Sequence, residues 1–183
     1  MKRLLSTLIL VVVALPIVAS AQPTVSNCQY GNQTVSSVLC LGAADLEGTT
    51  VTGDVTVFGP LTMHGATVNK VTVIGELKSS DSTAKGPVSV YGPTFANTST
   101  FDKDVFSATN YMQMQASKIN GNVTIKSSSQ QGVLDMSNGS LVTGNIDFSA
   151  QSGVVKLDGS SHVDGNIIND TTKPNNYNKR PVE

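Results

Sequence analysis

The residues that could do chemistry are few and widely spaced. The two cysteines, Cys28 and Cys40, lie close together, whereas the two histidines, His64 and His162, lie far from them and from each other. A structural zinc site takes four ligands at short spacings, which this pattern does not provide. In an oxidising compartment two thiols at this separation can close a short loop. We therefore predict a Cys28–Cys40 disulfide, with two unrelated buried thiols as the alternative.

Acid and base chemistry has equally sparse candidates. Four aspartates near the end of the chain could converge into a calcium site or an acid pair, namely Asp135, Asp147, Asp158 and Asp164. Single aspartates in glycine-rich turns are also typical of solvated corners. His64 is the one candidate for an acyltransferase base, but a lone histidine in a turn is usually solvated. We expect no catalytic residue, no metal and no cofactor, and predict a non-enzymatic protein.

Aromatic residues recur at one position of a repeated motif. Phe58 and Tyr91 both follow a Val-x-Val triplet and precede Gly-Pro, and Ile74 holds the same place between them. Such a column can stack sugar rings or a partner surface, or it can pack internally at a corner. We take Phe58 and Tyr91 as candidate binding residues. A second column, which could order water as on ice-binding solenoids, is interrupted at its fourth and sixth members: Thr56, Thr72, Ser89, Phe106, Thr124 and Asp147.

Short β-branched strands must position these residues, because no long stretch keeps the i, i+3, i+4, i+7 pattern of a helix. One motif recurs at steps of 16 and 17 residues, as VTVFGP at 55–60, VTVIGE at 71–76 and VSVYGP at 88–93. A related motif follows, as INGNVTI at 119–125, VTGNIDF at 142–148 and VDGNII at 163–168. Period-two alternation sends the first and third residues of each triplet to one face, which we predict to be the core.

The turns before these strands are equally regular. A glycine precedes each strand at Gly53, Gly121, Gly144 and Gly165. We expect these glycines to adopt positive φ at a sharp turn. The polar residue after each glycine should stack at successive corners and bond neighbouring backbone groups, at Asp54, Asn122, Asn145 and Asn166.

A single such coil cannot bury its own apolar side, so the coils must stack into one core. We predict an all-β, single-domain parallel β-helix, or β-solenoid, of about seven coils of 16–23 residues. The markers of these coils are Val55, Val71, Val88, Val105, Val123, Ile146 and Ile167. Residues 94–118 fit least well and predict a bulge, an inserted loop or a wider coil. Coils of unequal length favour a right-handed helix over the left-handed hexapeptide alternative.

These turns resemble those of bactofilins, a family of small polymer-forming bacterial proteins built as right-handed β-helices, over residues 49–170. The resemblance implies a non-enzymatic scaffold that self-assembles. This chain differs in its N-terminal region. Met1, Lys2 and Arg3 precede an apolar run and a small-residue segment that ends at Ala21, as in a cleaved signal peptide.

We therefore expect a signal peptide at 1–21, a cap with the disulfide at 22–47, the solenoid at 48–170 and a flexible polar tail at 171–183. The protein should be secreted or periplasmic, with no membrane span in its mature chain. Its formal net charge of −1 lacks blocks of one sign, so nucleic acid is not an expected partner. Two functions remain open: a structural or surface-interaction protein, which self-assembles into homo-oligomers or polymers through solenoid ends or faces, and a glycan- or cell-surface-binding module. A polysaccharide-acting enzyme with an acidic site is a third alternative.

Overall fold

The chain folds as an all-β parallel solenoid of eight coils, each made of three short strands. A computed structural model describes residues 27–128, 130–149 and 152–171. The first four coils hold β1 (Cys28–Tyr30), β2 (Thr34–Val35), β3 (Val38–Cys40), β4 (Ala44–Glu47), β5 (Thr50–Val51), β6 (Val55–Val57), β7 (Leu61–His64), β8 (Thr67–Val68), β9 (Val71–Val73), β10 (Leu77–Ser80), β11 (Thr83–Ala84) and β12 (Val88–Val90).

The last four coils hold β13 (Thr94–Asn97), β14 (Thr100–Phe101), β15 (Val105–Ser107), β16 (Tyr111–Gln115), β17 (Lys118–Ile119), β18 (Val123–Lys126), β19 (Gly132–Ser137), β20 (Leu141–Val142), β21 (Ile146–Ser149), β22 (Gly153–Leu157), β23 (His162–Val163) and β24 (Ile167–Ile168). The strands of successive coils pair in parallel and form three eight-stranded sheets. The first sheet contains β1 and every third strand after it, the second sheet begins with β2, and the third sheet begins with β3. No helix in the described part of the chain is long and apolar enough to cross a membrane.

The core lies along the solenoid axis, because each coil turns alternate side chains inward. In β6 the two valines are fully buried and Thr56 between them is half-buried, as the alternation predicts. The register confirms the predicted markers as one column. Val38 adds an eighth member at its start, because Val38 pairs with Val55. The segment predicted as a cap therefore contains one more coil, whose motif the sequence repeat did not reveal.

The predicted disulfide is present and joins the first and third strands of this first coil. Cys28 and Cys40 are both buried, with their Cα atoms 6.1 Å apart. A disulfide is compatible with a secreted protein. The predicted signal peptide lies outside the described residues, as does the predicted tail beyond Thr171.

Residues 94–118 keep the register and form a slightly wider coil, which is one of the three predicted alternatives. Thr94 pairs with Leu77 before it and with Met112 after it. The coil is one residue longer than its predecessor, and the added length lies at the corner around Ala108. Larger insertions follow, because the step from Met112 to its partner Leu134 is 22 residues. Paired residues of neighbouring coils are therefore 16 to 23 residues apart, with the longest step from Val123 to Ile146, while handedness stays a prediction.

The repeated glycines before the third-sheet strands serve close packing and not the predicted positive φ. None of Gly53, Gly121, Gly144 and Gly165 has a positive φ. A Cβ on Gly53 or Gly144 would instead lie 2.5 Å from a carbonyl oxygen of the preceding coil. The absence of a side chain thus lets one coil approach the next at this corner.

Positive φ occurs at the corner between the first and second sheets. Six successive coils have it at Gly48, Gly65, Asp81, Thr98, Ala116 and Asn138, and Gly139 beside Asn138 also adopts it. A buried serine column follows these residues in the later coils, formed by Ser82, Ser99, Ser117, Ser140 and Ser161. Each serine hydroxyl accepts a hydrogen bond from the backbone N–H one coil earlier, such as Ser117 N–H to Ser140 Oγ at 3.2 Å.

The asparagine corner forms as predicted in the last coils. Each side-chain oxygen accepts from the backbone N–H of the next coil: Asn122 N–H to Asp104 Oδ1 at 2.7 Å, Asn145 N–H to Asn122 Oδ1 at 2.9 Å, and Asn166 N–H to Asn145 Oδ1 at 2.8 Å. Asp54 lies outside this ladder, with its carboxylate 3.7 Å from Lys70 Nζ.

Candidate functional site

One side of the solenoid carries every large hydrophobic side chain that is exposed in the described part of the chain. All six belong to the third sheet or to the residue directly after one of its strands: Leu39, Leu41, Phe58, Ile74, Tyr91 and Ile168. Burial is the usual fate of such side chains, and an aligned exposed set marks an interaction surface. We call this side the third face.

Four of these residues form a continuous column, the apolar ridge. Leu41, Phe58, Ile74 and Tyr91 follow β3, β6, β9 and β12, and they are 46%, 47%, 49% and 53% exposed. Backbone bonds hold the last three in register, because the N–H groups of Phe58, Ile74 and Tyr91 each donate to a carbonyl one coil earlier, at 2.8 Å. The predicted column of Phe58 and Tyr91 is therefore an exposed surface, and not an internal corner ladder.

The ridge follows from the repeated motif. In VTVFGP the two valines are buried, so the aromatic residue after them points outward like the threonine. The next residue is Gly59, where a Cβ would lie 2.6 Å from the Gly42 carbonyl oxygen. Gly75 and Gly92 make the same close approach in the following coils. Tight glycine corners leave no bulk beside the ridge that would cover it.

A hydroxyl column runs beside the ridge. Thr56, Thr72 and Ser89 are the central residues of β6, β9 and β12, and they pair in register with one another. Each lies two residues before a ridge residue and on the same face. Every coil from the second to the fourth therefore contributes one apolar side chain and one hydroxyl group. Phe106 and Thr124 continue this column, and Asp147 follows in the seventh coil.

A cleft of about 810 Å³ opens where the ridge ends. Tyr91 and Phe106 form its aromatic wall, with ring centroids 5.7 Å apart in an edge-to-face arrangement. Asn110, Lys126 and Gln130 also line the cleft and provide one ammonium group and two amides, with Asn110 Nδ2 donating a hydrogen bond to Gln130 Oε1. The cleft exists because Ala108, Thr109 and Asn110 replace the tight glycine corner of earlier coils.

The third face is uncharged over its first five coils. Its two outward columns hold only apolar and hydroxyl side chains there, and the first charged members are Lys126 and Asp147. Four charged groups at the margins lie in pairs, because Glu76 is 2.7 Å from Lys78 Nζ and Asp54 is 3.7 Å from Lys70 Nζ. A ligand that lies along the two outward columns of these coils therefore meets no charged side chain in them.

The four aspartates considered for catalysis have separate surroundings. Asp135 lies on the first sheet opposite Lys156, and its carboxylate together with burial raises the pKa of Tyr111, burial being the larger cause. Asp147 lies on the third sheet and accepts a hydrogen bond from Asn169. Asp158 and Asp164 occupy two different corners of the last coil.

Hydrogen bonds from Ser161, Asn138 and Ser160 lower the pKa of Asp158 below its usual range. Asp164 lies 4.0 Å from His162. The other histidine, His64, is exposed on the first sheet, 4.0 Å from the Asp81 carboxylate. Within the described residues, no group of three or more potential metal ligands comes together.

Sequence reasoning missed the cleft residues Asn110, Lys126 and Gln130. The available signal was the loss of the Gly-Pro corner after Ser107 and the longer step to the next coil. That signal indicates an opening at the corner but not which side chains line it. No family model, curated protein or solved structure shows a significant match to this chain.

Proposed function

We propose that this protein is a non-enzymatic, extracytoplasmic surface-interaction protein that binds neutral glycans through the apolar ridge and the cleft. The observation that carries the proposal is the alignment of exposed apolar side chains on an uncharged face that leads into an aromatic-walled cleft. The disulfide and the signal-peptide pattern support a location outside the cytoplasm.

The chemistry of the surface suits sugars. Sugar rings have apolar C–H faces, which pack on side chains such as Tyr91 and Phe106, and a periphery of hydroxyl groups. Asn110 and Gln130 can donate and accept hydrogen bonds at that periphery. The cleft volume of about 810 Å³ lies within the roughly 300–1,000 Å³ that is typical of small-ligand sites.

The size of the ridge argues against a stable protein dimer as its main role. Four half-exposed side chains present on the order of 300–400 Å² of apolar surface, given roughly 150–250 Å² for a whole aromatic side chain. A standard protein interface buries about 800 Å² on each partner. The ridge alone is too small for that, whereas a narrow ligand matches it.

Isothermal titration calorimetry with soluble neutral and acidic oligosaccharides tests the proposal. We expect neutral oligosaccharides to bind the wild-type protein and Tyr91→Ala to weaken that binding at least tenfold. Tyr111→Ala is the matched control, because Tyr111 packs against Phe95 on the first sheet. Absence of binding to every oligosaccharide, or equal losses in both variants, would contradict a glycan site on the third face.

Self-assembly is a second candidate function. In the described part of the chain, β1, β2 and β3 have a strand neighbour on one side only, so the first coil presents edges that could pair with another copy. The resemblance of the turns to those of bactofilins supports the same role. Sedimentation of the mature protein tests it: mass rising with concentration, with filaments in negative stain, is expected of a polymer. A monomer at every concentration contradicts it.

A further inference from the structure

We propose that the glycan is an extended chain that lies parallel to the solenoid axis, with one sugar unit on each coil. This inference rests on the proposed function and specifies the class of ligand. It follows from the spacing of the ridge, which the coil repeat sets independently of what any single side chain does.

The ridge repeats its chemistry at a fixed step. Successive coils offer Phe58 with Thr56, Ile74 with Thr72, and Tyr91 with Ser89. We call each such pair of side chains a platform. Neighbouring strands lie about 4.8 Å apart, and the paired register keeps each platform directly beside the next. A ligand that uses every platform must therefore present an apolar patch and a hydroxyl group at nearly the same interval.

Extended pyranose chains have this property. In a flat, equatorially linked glycan, each sugar advances the chain by a length close to the rise of one coil, and every unit carries both a C–H face and hydroxyl groups. An α-linked chain coils away from a straight surface after a few units. The straight ridge therefore favours β-1,4-linked ribbons over helical glycans.

The charge of the surface restricts the ligand further. The third face has no charged side chain on its first five coils, and the cleft has Lys126 as its single charged lining residue. A polymer with a carboxylate on each unit would find no cation for most of them. Neutral polymers of glucose or N-acetylglucosamine fit this surface better.

The ridge also predicts a ligand length. Leu41 and Tyr91 are three coils apart, which corresponds to about 14 Å at the spacing of paired strands. One unit can occupy the cleft at the Tyr91 end, and further units then extend over Ile74, Phe58 and Leu41 in turn. Affinity should rise with chain length and level off at about four or five units.

Calorimetric titration with β-1,4-linked glucose and N-acetylglucosamine oligomers of one to six units tests the inference, with an α-1,4-linked glucose hexamer as the linkage control. Phe58 lies two coils, or about 10 Å, from Tyr91 and out of reach of a disaccharide in the cleft. We expect Phe58→Ala to weaken hexamer binding about twofold to tenfold and to leave dimer binding unchanged. Tyr91→Ala should weaken both, and Ile74→Thr serves as a second ridge variant.

The outcomes separate the two proposals. Binding that needs Tyr91 but does not increase with chain length, or that is equal for the α-linked hexamer, overturns the axial ligand and leaves glycan binding in place. Equal effects of Phe58→Ala on dimer and hexamer also overturn it. No binding of any oligomer overturns both proposals. Rising affinity over four or five units, with loss confined to long ligands in the Phe58 variant, supports the axial ligand.

Discussion

Gly165 packs backbone to backbone against Gly144: a Cβ on Gly165 would lie 2.2 Å from the Gly144 carbonyl oxygen. Gly165→Ala must therefore push the last coil away from its neighbour, and we expect a loss of about 1–3 kcal/mol in the free energy of unfolding. Gly159→Ala, in the same coil, is the control, because a Cβ there meets nothing within 4 Å. Chemical denaturation measures both; equal stability of the two variants would contradict the close-packing role.

The asparagine ladder predicts a loss that depends on hydrogen-bond chemistry. Asn145→Ala removes the acceptor for the backbone N–H of Asn166, and we expect a loss of about 0.5–1.5 kcal/mol. Asn145→Asp should retain most of the stability, because Asp104 already accepts the equivalent bond from Asn122. Denaturant titration distinguishes these variants, and an Asp variant as unstable as the Ala variant would refute the acceptor role.

Thr98 carries a backbone conformation that a β-branched residue rarely adopts, with a φ of 50°. Glycine takes this conformation without strain, so Thr98→Gly should stabilise the protein by about 0.5–1 kcal/mol despite the greater freedom of its unfolded chain. Thr62→Gly should destabilise it, because Thr62 lies in the middle of β7 with no positive φ. Melting temperatures that fall in both variants would show that the Thr98 strain is absent.

Asp158 predicts a loss of stability in acid. Its folded-state pKa is lowered by hydrogen bonds from Ser161, Asn138 and Ser160, so the folded protein holds the proton more weakly than the unfolded chain. This contribution is complete above the ordinary value of 3.8 and is lost as the pH falls towards the folded-state pKa.

Asp158→Asn should therefore melt at a lower temperature than the wild type at pH 6, with the difference shrinking below about pH 4. Asp45→Asn removes the same charge from the exposed face of the first sheet and serves as control. Thermal melts between pH 2 and 6 measure the difference in melting temperature between each variant and the wild type. A stabilising role for the Asp158 carboxylate requires the Asp158→Asn difference to depend on pH, so a constant difference would contradict that role.

The third sheet was predictable because its signal is repeated in the second, third and fourth coils. Two buried valines, an outward residue and a glycine give four correlated positions, as at 55–59, 71–75 and 88–92. The first sheet provides a weaker signal, because its inward positions mix leucine, methionine, threonine and alanine. The second sheet has mostly valine at its inward positions, but its strands are only two residues long, too short to show alternation. The strands of these two sheets could not be assigned from the sequence, and the pairing register of the structure was needed to locate them.

The exposure of the ridge was not predictable from its residue types. Phe58 and Phe148 are both phenylalanines near a third-sheet strand, yet Phe148 is fully buried because it lies at an inward position, whereas Phe58 lies one residue past the inward Val57. The cleft was still less predictable, because its shape depends on how the 108–110 corner passes residues 126–128 of the next coil.

Asp158 caps the last serine of the buried serine column. In earlier coils the N–H of each column serine is bonded by the serine of the next coil, but the Ser161 N–H donates to the Asp158 carboxylate in its own coil, at 2.8 Å. The last serine of the column in the described residues therefore has its N–H satisfied within its own coil, while the serines before it rely on the coil that follows. Duplication or loss of one interior coil would lengthen or shorten the third face by one step, a simple evolutionary route to surfaces of different reach.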